Sequence, residues 1–499
     1  MAAVLKLLAL LPFLALSQAA TSAEWRSRSI YQIITDRFAP SSSSTSCSLG
    51  STSYCGGTWQ TIIDKLDYVQ SLGFDAVWIS PTALGVEGST EYGEGYHGYW
   101  TSNPTKLNPH FGNETDLKAL SSALHGRGMY LMTDIAINAL SSTSYTLTSG
   151  SLSAANDGTL LFKDPANYHE RCQIDYSDEV SIRHCWLAAG DNNGAVAMMD
   201  LKTEDDTVAG VLKDWAKDYV DNYDIDGFRV DASRHMGKNF QHDLCEAAGT
   251  FCIGEIFDYT TSYVSQFQGD NALDATLGYP MKNGLVETFT GSSTTSTLAH
   301  TISNAAQYYA DPTVIGTFLD NHDLPRVNSL TDDKTLVWNA LVGQFLYGGI
   351  PIVYQGTEQD IADGPGDPQN REALWNYNDY STSGETFGRI KNLNKIRSGL
   401  GGADSSFYET VGEVLAQQDS DIAIKRGNAL AVLTKRGGSG TGTWTVGGAN
   451  FGNSASIVDL ISCDTFTTSS SGDITVTWTA GEPFVFVTSD VASQAGLCH

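Results

Sequence analysis

The chain has 499 residues, of which 41% are apolar and 17% charged, which is enough apolar material for a large core and more than one domain. This composition excludes disorder over the whole length. The formal net charge of −28 repels phosphate backbones and anionic lipid, so it argues against nucleic acid or a membrane as a partner and suits a neutral substrate, although solubility alone also explains it.

The first segment, residues 1–19, has the composition of a secretory signal peptide. Lys6 precedes a short apolar run and a Ser-x-Ala site, so we place cleavage after Ala19. The run is shorter than the roughly 18 apolar residues of a membrane anchor, and the C-terminal tail has no lipid-anchor signal. We therefore expect a secreted, extracellular protein. The sequon at Asn113 is a candidate glycosylation site that fits export.

From Ser29 onward, short β-rich apolar runs alternate with amphipathic stretches, which is typical of repeated βα units around a parallel sheet. Eight runs are candidate strands, and they begin at Ser29, Phe74, Met129, Gly227, Thr250, Leu273, Thr313 and Ile350. Apolar positions three and four residues apart predict helices between them, for example over residues 115–128 and 207–223. Eight strands close a (β/α)8 TIM barrel, which we predict over residues 20–403.

Two regions depart from this repeat. The third and fourth strands are separated by about sixty residues rich in Ser, Thr and Gly, and we interpret residues 139–200 as a small domain inserted into the barrel. After about Gly402 the helical period disappears, and short alternating runs predict an antiparallel β-sandwich domain over residues 404–499.

The eight cysteines fall into four pairs that are close in sequence or near the C-terminus. These pairs are Cys47 with Cys55, Cys172 with Cys185, Cys245 with Cys252, and Cys463 with Cys498. Export permits disulfide bonds between them, but sequence alone leaves the connectivity open. None of the spacings is the Cys-x-x-Cys of a zinc or redox site, so a structural role is favoured.

Three predicted strands lead into a carboxylate, namely Asp231, Glu255 and Asp323. In a TIM barrel the active site lies at the C-terminal ends of the strands, and a carboxylate after a buried run is costly unless it is paired or catalytic. Cleavage of an acetal needs one acid and one carboxylate near the sugar carbon. Each residue taken alone is equally well explained as a structural ion pair.

Four segments in chain order, TDIAIN, GFRVDASRH, GEIF and FLDNHD, resemble the signature segments of glycoside hydrolase family 13, the α-amylase family. The likeness extends to CGGTWQTIIDKLDYVQSLGFDAVWISP and GYHGYW, and it is closest to the fungal Taka-amylase-type members over nearly the whole mature chain. The resemblance implies that Asp231 is the nucleophile, that Glu255 is the acid/base, and that Asp323 is a third carboxylate holding sugar hydroxyls.

The resemblance also implies a set of substrate-binding residues, which are Gln60, His97, Tyr99, Trp100, Arg229, Arg234, His235, Phe257, His322, Asp367 and Arg371. In this comparison Tyr99 is a stacking platform, and Arg234, His235 and Phe257 fall on the leaving-group side. For His97, a purely structural histidine is the alternative.

A Ca2+ cofactor follows from the same comparison. Asn138 and Asp200 match side-chain ligands, while His235 and Arg183 match residues that contribute main-chain oxygens. The family has Glu at the position of Arg183, a change that a main-chain ligand tolerates. Hard oxygen ligands suit Ca2+.

One departure concerns Ala139, which follows Asn138 where the family has histidine. The missing imidazole would donate a hydrogen bond to the glucose before the scissile bond, worth about 1 to 3 kcal/mol. Fungal relatives altered at this motif include 4-α-glucanotransferases. We therefore consider three hypotheses for a protein expected to act as a monomer: a retaining endo-α-amylase acting on the α-1,4-glucan of starch, a 4-α-glucanotransferase acting on maltooligosaccharides, and a glucan-binding protein with vestigial activity.

Overall fold

The computed structural model of the protein describes residues 20–42, 46–143, 145–154, 158–189 and 196–498, so the predicted signal peptide lies outside the described residues. Its central sheet has eight parallel strands at the predicted positions. They span Ile30–Ile33, Ala76–Ile79, Tyr130–Ile135, Gly227–Val230, Phe251–Gly254, Ala275–Thr276, Gly316–Thr317 and Ile350–Tyr354. We refer to them as the first to the eighth barrel strands.

The sheet closes into a barrel. In order across the sheet, the sixth strand is followed by the fifth, fourth, third, second, first, eighth and seventh. A parallel bridge between Leu277 and Gly316 joins the two ends of this order. Nearly every strand residue is buried, because both faces of a parallel barrel are covered, and this explains the continuous apolar runs in the sequence. The prediction of a TIM barrel is confirmed.

Helices surround the barrel and include the two that the apolar spacing predicts. They span Ser22–Trp25, Thr35–Phe38, Trp59–Ile63, Leu66–Ser71, Glu114–His125, Asp206–Tyr223, Lys238–Ala248, Thr261–Val264, Tyr279–Phe289, Thr295–Tyr308, Lys334–Tyr347 and Glu385–Ala403. The side chain of Asp205 caps its helix by accepting hydrogen bonds from the Thr207 and Val208 amides. The Asn113 side chain caps Glu114–His125 in the same way.

Two excursions rise from the barrel. The strand Ala83–Gly85 pairs with Thr101–Leu107, a hairpin that the sequence analysis did not predict because its register shifts break the alternation of a regular strand. Within the predicted insertion, Ala139–Ser142 pairs antiparallel with Ala197–Asp200, so the insertion leaves and returns at the same place. The helices Ser149–Ala154 and Glu179–His184 lie between these two strands.

The C-terminal domain is built from antiparallel sheets. One has six strands, in the order Glu413–Gln418, Asp421–Arg426, Ala429–Thr434, Phe484–Thr488, Ser456–Asp459 and Thr465–Thr467, and the other pairs Gly442–Val446 with Ile474–Trp478. Apolar side chains of both sheets, including Val432 and Val476, form one core between them, so the sandwich prediction is confirmed. The helix Ser489–Gln494 follows the last strand.

All four predicted cysteine pairs form disulfide bonds. Within the described residues, no helix combines the length and the apolar character needed to cross a membrane.

Candidate active site

A cleft of about 1060 Å³ lies beyond the C-terminal ends of the barrel strands. The three predicted catalytic carboxylates, Asp231, Glu255 and Asp323, all line it. Nine of the predicted substrate-binding residues line it as well, namely His97, Tyr99, Trp100, Arg234, His235, Phe257, His322, Asp367 and Arg371. The parallel strands bring these residues together because their carboxyl ends all meet at one rim.

Arg229 lies fully buried below the cleft and contacts three carboxylates. Its Nη1 donates to Asp231 Oδ1 at 2.5 Å and to Asp134 Oδ1 at 3.0 Å, and its Nη2 lies 2.9 Å from Glu255 Oε2. Burial raises the pKa of Asp231; the Arg229 cation opposes this, and the anions of Glu255 and Asp134 reinforce it. Because three carboxylates share this one cation, the protonation of Asp231 depends on the charges of its neighbours.

Asp134 is a site residue that the sequence analysis missed. It lies on the third barrel strand in register with Arg229 of the fourth. Its carboxylate also accepts hydrogen bonds from Trp78 Nε1 at 3.2 Å and from the Tyr99 hydroxyl at 2.8 Å. Burial raises its pKa to about 6, although Arg229 and the Tyr99 hydroxyl pull it down. The sequence feature that could have identified Asp134 is its position inside the apolar run of the TDIAIN segment.

The backbone and a tyrosine hold Glu255 in place. The Ala232 amide donates to Glu255 Oε2 at 3.0 Å, and the Tyr279 hydroxyl donates to Oε1 at 3.0 Å. Asn321 Nδ2 in turn donates to the Tyr279 oxygen at 3.1 Å. Ala232 has φ of 49°, a left-handed conformation that costs an alanine about 1 kcal/mol and turns the chain sharply after Asp231. Tyr279 was not predicted as a site residue, because it lies outside the segments that resemble the family signatures.

Asp323 also lines the cleft and is paired with two neighbours, Arg371 and His322. Arg371 Nη2 donates to Asp323 Oδ1 at 3.0 Å, and His322 Nε2 lies 3.1 Å from Oδ2. Arg371 Nη1 also lies 3.1 Å from Asp367 Oδ1. Asp323 remains about one third exposed, so its oxygens can still reach a ligand.

His322 is held as a neutral ring. Gln32 Nε2 donates to His322 Nδ1 at 2.7 Å, so the ring carries its proton on Nε2, facing Asp323. Burial and the nearby cations Arg371 and Arg229 place its pKa well below the usual range. The Tyr99 ring stacks on His322 with centroids 4.9 Å apart and planes inclined by 6°. Gln32 was not predicted, although it is the one polar residue of the first barrel strand.

His97 lines the cleft next to Tyr99. Its Nδ1 accepts a hydrogen bond from the Tyr99 amide at 3.0 Å, which leaves Nε2 to carry the proton. Burial is the main reason that its pKa lies well below the usual range, and the Arg371 cation adds to the effect. A neutral ring with a free Nε2–H in the wall of the cleft can donate to a sugar hydroxyl.

Gln60 was also expected to bind substrate, and that role stays a prediction. Gln60 is exposed on the helix Trp59–Ile63, where its Nε2 donates to Asp64 Oδ1 at 3.3 Å, and it does not line the cleft. Thr52 lines the cleft instead. Thr52 belongs to the loop closed by the Cys47–Cys55 disulfide, and sequence patterns do not predict where such a loop folds.

The side of the cleft that the resemblance assigns to the leaving group is aromatic. Arg234 Nη1 donates to the Phe257 carbonyl at 3.2 Å, and its guanidinium lies 5.1 Å from the Tyr176 ring centroid. The Phe257 side chain is 49% exposed. Ala139 is buried and does not line the cleft, whereas Met198, on the strand that pairs with it, does.

The residues predicted to hold a metal fall into two pairs. Leu201 donates its amide to the Asn138 carbonyl at 2.9 Å, next to Asp200. The His235 ring donates to the Ile182 carbonyl at 2.9 Å, beside the backbone of Arg183. The Arg183 side chain itself pairs with Glu179.

Asp200 offers an oxygen that fits a hard cation. Among the described residues, Asp200 Oδ1 is buried without a hydrogen-bond partner, and so is Asn138 Nδ2. Burial raises the Asp200 pKa to about 7, although His169 pairs with its other oxygen at 2.7 Å. Such a carboxylate is costly without a cation. His169 also forms, with His184 and Glu204, a cluster whose ligand atoms lie within 4.8 Å of one another and could hold a metal.

Comparison with known proteins gives two family matches. The family described as Alpha amylase, catalytic domain, matches residues 32–397, and the one described as Alpha-amylase, domain C, matches residues 414–499. An alpha-amylase of Saccharomycopsis fibuligera is 38% identical over 94% of this chain and 93% of its own length, and alpha-amylase 2 of Schwanniomyces occidentalis is 37% identical over 96% and 93%. An alpha-amylase structure from Malbranchea cinnamomea superposes with a TM-score of 0.90 at 37% identity, covering 96% of this chain and all of that one.

Proposed function

The chain belongs to the α-amylase family of glycoside hydrolases, and we propose that it hydrolyses internal α-1,4 bonds of starch and maltooligosaccharides with retention of configuration. The observation that carries this proposal is the single buried guanidinium of Arg229, which contacts both Asp231 and Glu255. One planar group bridging two carboxylates fits the separation of about 5 Å of retaining enzymes better than the wider gap of inverting enzymes.

In the first step, Glu255 donates its proton to the glycosidic oxygen as the bond to the anomeric carbon breaks, and Asp231 forms an ester with that carbon. In the second step, Glu255 takes a proton from water, whose oxygen displaces Asp231. The hydrogen bond from Arg229 favours the ionised form of Asp231, which the attack on the anomeric carbon needs. Two inversions at one carbon give net retention.

The sugar before the scissile bond would lie against the Tyr99 ring. His322 Nε2 and Asp323 then face its hydroxyls from one side, and His97 Nε2 faces them from another. Hydrogen bonds to these hydroxyls that tighten in the transition state supply several kcal/mol in glycosidases. Asp367 and Arg371, which pair with each other in the lining of the cleft, would hold the next glucose unit.

We further propose that Ca2+ binds the side chains of Asn138 and Asp200 and the main-chain oxygens of Arg183 and His235. The buried, unpartnered Asp200 Oδ1 supports this assignment. The ion would supply a fixed positive charge that ties the inserted segment, residues 139–200, to the barrel. We also propose that the catalytic domain spans residues 20–403 and the C-terminal domain residues 404–499. The protein is proposed to be exported after cleavage of residues 1–19 and to act as a monomer. The four disulfides support export.

A second candidate activity is transfer of the glucosyl unit from Asp231 to a sugar acceptor, as in 4-α-glucanotransferases. Two observations favour it. Ala139 supplies no imidazole to the cleft, and the 49% exposed Phe257 ring offers an apolar surface to an acceptor sugar on the leaving-group side. An acceptor bound there competes with water for the same ester.

Incubation with maltoheptaose and sizing of the products by chromatography tests both activities. The proposed amylase yields only shorter sugars. Products longer than maltoheptaose would assign the chain to the transferases, and an unchanged substrate would reduce it to a glucan-binding protein. Glu255→Gln, run in parallel, is expected to abolish product formation, and full activity in this variant would overturn the whole assignment.

A further inference from the structure

A second groove, of about 620 Å³, lies on the barrel surface between the segment after the fifth strand and the helix Thr295–Tyr308. It is separate from the catalytic cleft, with which it shares no lining residue. Tyr259 and Tyr308 both line this groove. They are 46% and 45% exposed, respectively. Half-exposed tyrosine rings beside a groove are typical of binding surfaces, because the ring offers an apolar face while the hydroxyl stays in water.

The chemistry of the groove is that of a neutral ligand rich in hydroxyl groups. None of the ten residues that line it is charged, in a chain with a formal net charge of −28. Most of them carry hydroxyl or amide groups. The side chains of His300 and Asn304 make no hydrogen bond within the part of the chain that the structure describes, so their polar atoms are available. Phosphate, nucleic acid and acidic peptides would find no cation in this lining.

The helix presents these groups as a continuous row. Ser296, His300 and Asn304 are four residues apart, and Tyr308 follows four residues later. Residues with this spacing lie on one helical face, and the row extends over roughly 18 Å at 1.5 Å per residue. This length suits a chain of several sugar units better than a single small molecule.

The groove also adjoins the leaving-group end of the cleft. The Tyr259 ring contacts the Phe257 ring edge to face, with centroids 6.0 Å apart, and Phe257 lines the catalytic cleft. Tyr259 therefore belongs to the groove while touching the wall of the active site. A polymer that leaves the cleft past Phe257 would meet Tyr259 next.

From these observations we propose that the groove from Tyr259 to Tyr308 is a second binding site for an α-glucan chain, next to the leaving-group end of the active site. The proposal rests on the assignment of glucan as the substrate. The tyrosine rings would stack on sugar faces, and His300 and Asn304 would bind hydroxyl groups. Such a site would keep a long substrate bound to the protein between cleavages. It would not affect the binding of a substrate that is too short to reach it.

The test measures binding of the full chain to amylopectin by its retardation in native gels, in a Glu255→Gln background that prevents digestion. Tyr308→Ala is expected to weaken the apparent affinity about three- to tenfold, and Tyr259→Ala combined with Tyr308→Ala more strongly. Gln307→Ala, an exposed neighbour on the same helix outside the groove, is expected to leave retardation unchanged. With Glu255 intact, Tyr308→Ala is expected to keep the kcat/KM of a maltotrioside.

Equal retardation of the double variant and its Glu255→Gln parent would overturn the groove as a glucan site, while hydrolysis of maltoheptaose by the unmutated chain would still support the proposed function. The proposal would also be overturned if Tyr308→Ala reduced the kcat/KM of the maltotrioside by the same factor as the affinity for amylopectin. The defect would then lie in the cleft or in the fold. A chain that neither hydrolyses maltoheptaose nor is retarded would instead overturn the proposed function.

Discussion

Arg229 and Asp231 lie two residues apart on one face of the chain at the end of the fourth barrel strand, and Arg229 Nη1 donates to Asp231 Oδ1 at 2.5 Å. Asp134 and Glu255 contact the same guanidinium. The charge of Asp231 therefore depends on the charges of its two neighbours, and a change at one of them is expected to alter the pH dependence of the reaction.

Asp134→Asn removes one negative charge from this group while keeping its shape. The Asp134 anion raises the pKa of Asp231, so its loss lowers that pKa and moves the acid limb of kcat/KM to lower pH. We also expect kcat to fall about 100-fold, because Arg229 and Tyr99 lose their shared acceptor. The pH profile of maltoheptaose hydrolysis checks this, with Asp218→Asn, an exposed helix residue, as the control. An acid limb that stays in place or rises would contradict it.

Two substitutions of Tyr99 separate its ring from its hydroxyl. Tyr99→Phe keeps the stack on His322 and loses only the hydrogen bond to Asp134, so kcat/KM should fall about three- to tenfold. Tyr99→Ala also removes the platform for the sugar and should cost about a further tenfold. Steady-state kinetics on one oligosaccharide compares the two. If both variants lost the same activity, the ring would have no role as a platform.

Removal of Ca2+ is expected to destabilise the protein. A ligand at 100 times its Kd stabilises the folded state by about 2.7 kcal/mol, so a chelator should lower the Tm by several degrees and added Ca2+ should restore it. Asp200→Asn should abolish this dependence, because it removes a charged oxygen ligand, whereas Asp218→Asn should retain it. Differential scanning calorimetry measures all three proteins. An unchanged response to Ca2+ in Asp200→Asn would exclude Asp200 as a ligand.

The disulfide between Cys463 and Cys498 spans 35 residues, whereas that between Cys47 and Cys55 spans 8. Loop entropy predicts a loss of about 4 kcal/mol when both cysteines of the longer loop are replaced by serine, and of about 2.5 kcal/mol for the shorter one. Thermal unfolding of the two double variants should therefore show the larger fall in Tm for the C-terminal pair. The reverse order would indicate that native contacts, not loop length, set these contributions.

The barrel could be predicted from the sequence because each strand is buried on both faces and therefore forms an uninterrupted apolar run. The carboxylates proposed as catalytic followed from the same reasoning, since Asp231 and Glu255 come directly after such runs. The roles of these carboxylates required the family resemblance. The contact between Asp134 and Arg229 was harder to predict from the sequence. It depends on the register of two neighbouring strands, which is set when the strands pair in the folded protein.

The omissions concern residues whose position depends on loops or distant partners. Thr52 reaches the cleft through a disulfide-closed loop, whereas Gln60 is exposed on its helix and its role stays a prediction. Gln32 and Tyr279 act by orienting His322 and Glu255, contacts between residues more than 20 positions apart in the chain. Local patterns carry no information about such contacts.

The most direct test of the account is to identify the residue that forms the bond to the sugar. Glu255→Gln should still react with α-maltosyl fluoride, because fluoride leaves without a proton, but the ester should persist since water lacks its general base. Mass spectrometry of peptides from the quenched protein then locates the adduct. The account predicts one maltosyl unit on Asp231, absent from Asp231→Asn in the same background. An adduct on Asp323, or fluoride release with the inverted anomer and no adduct, would contradict it.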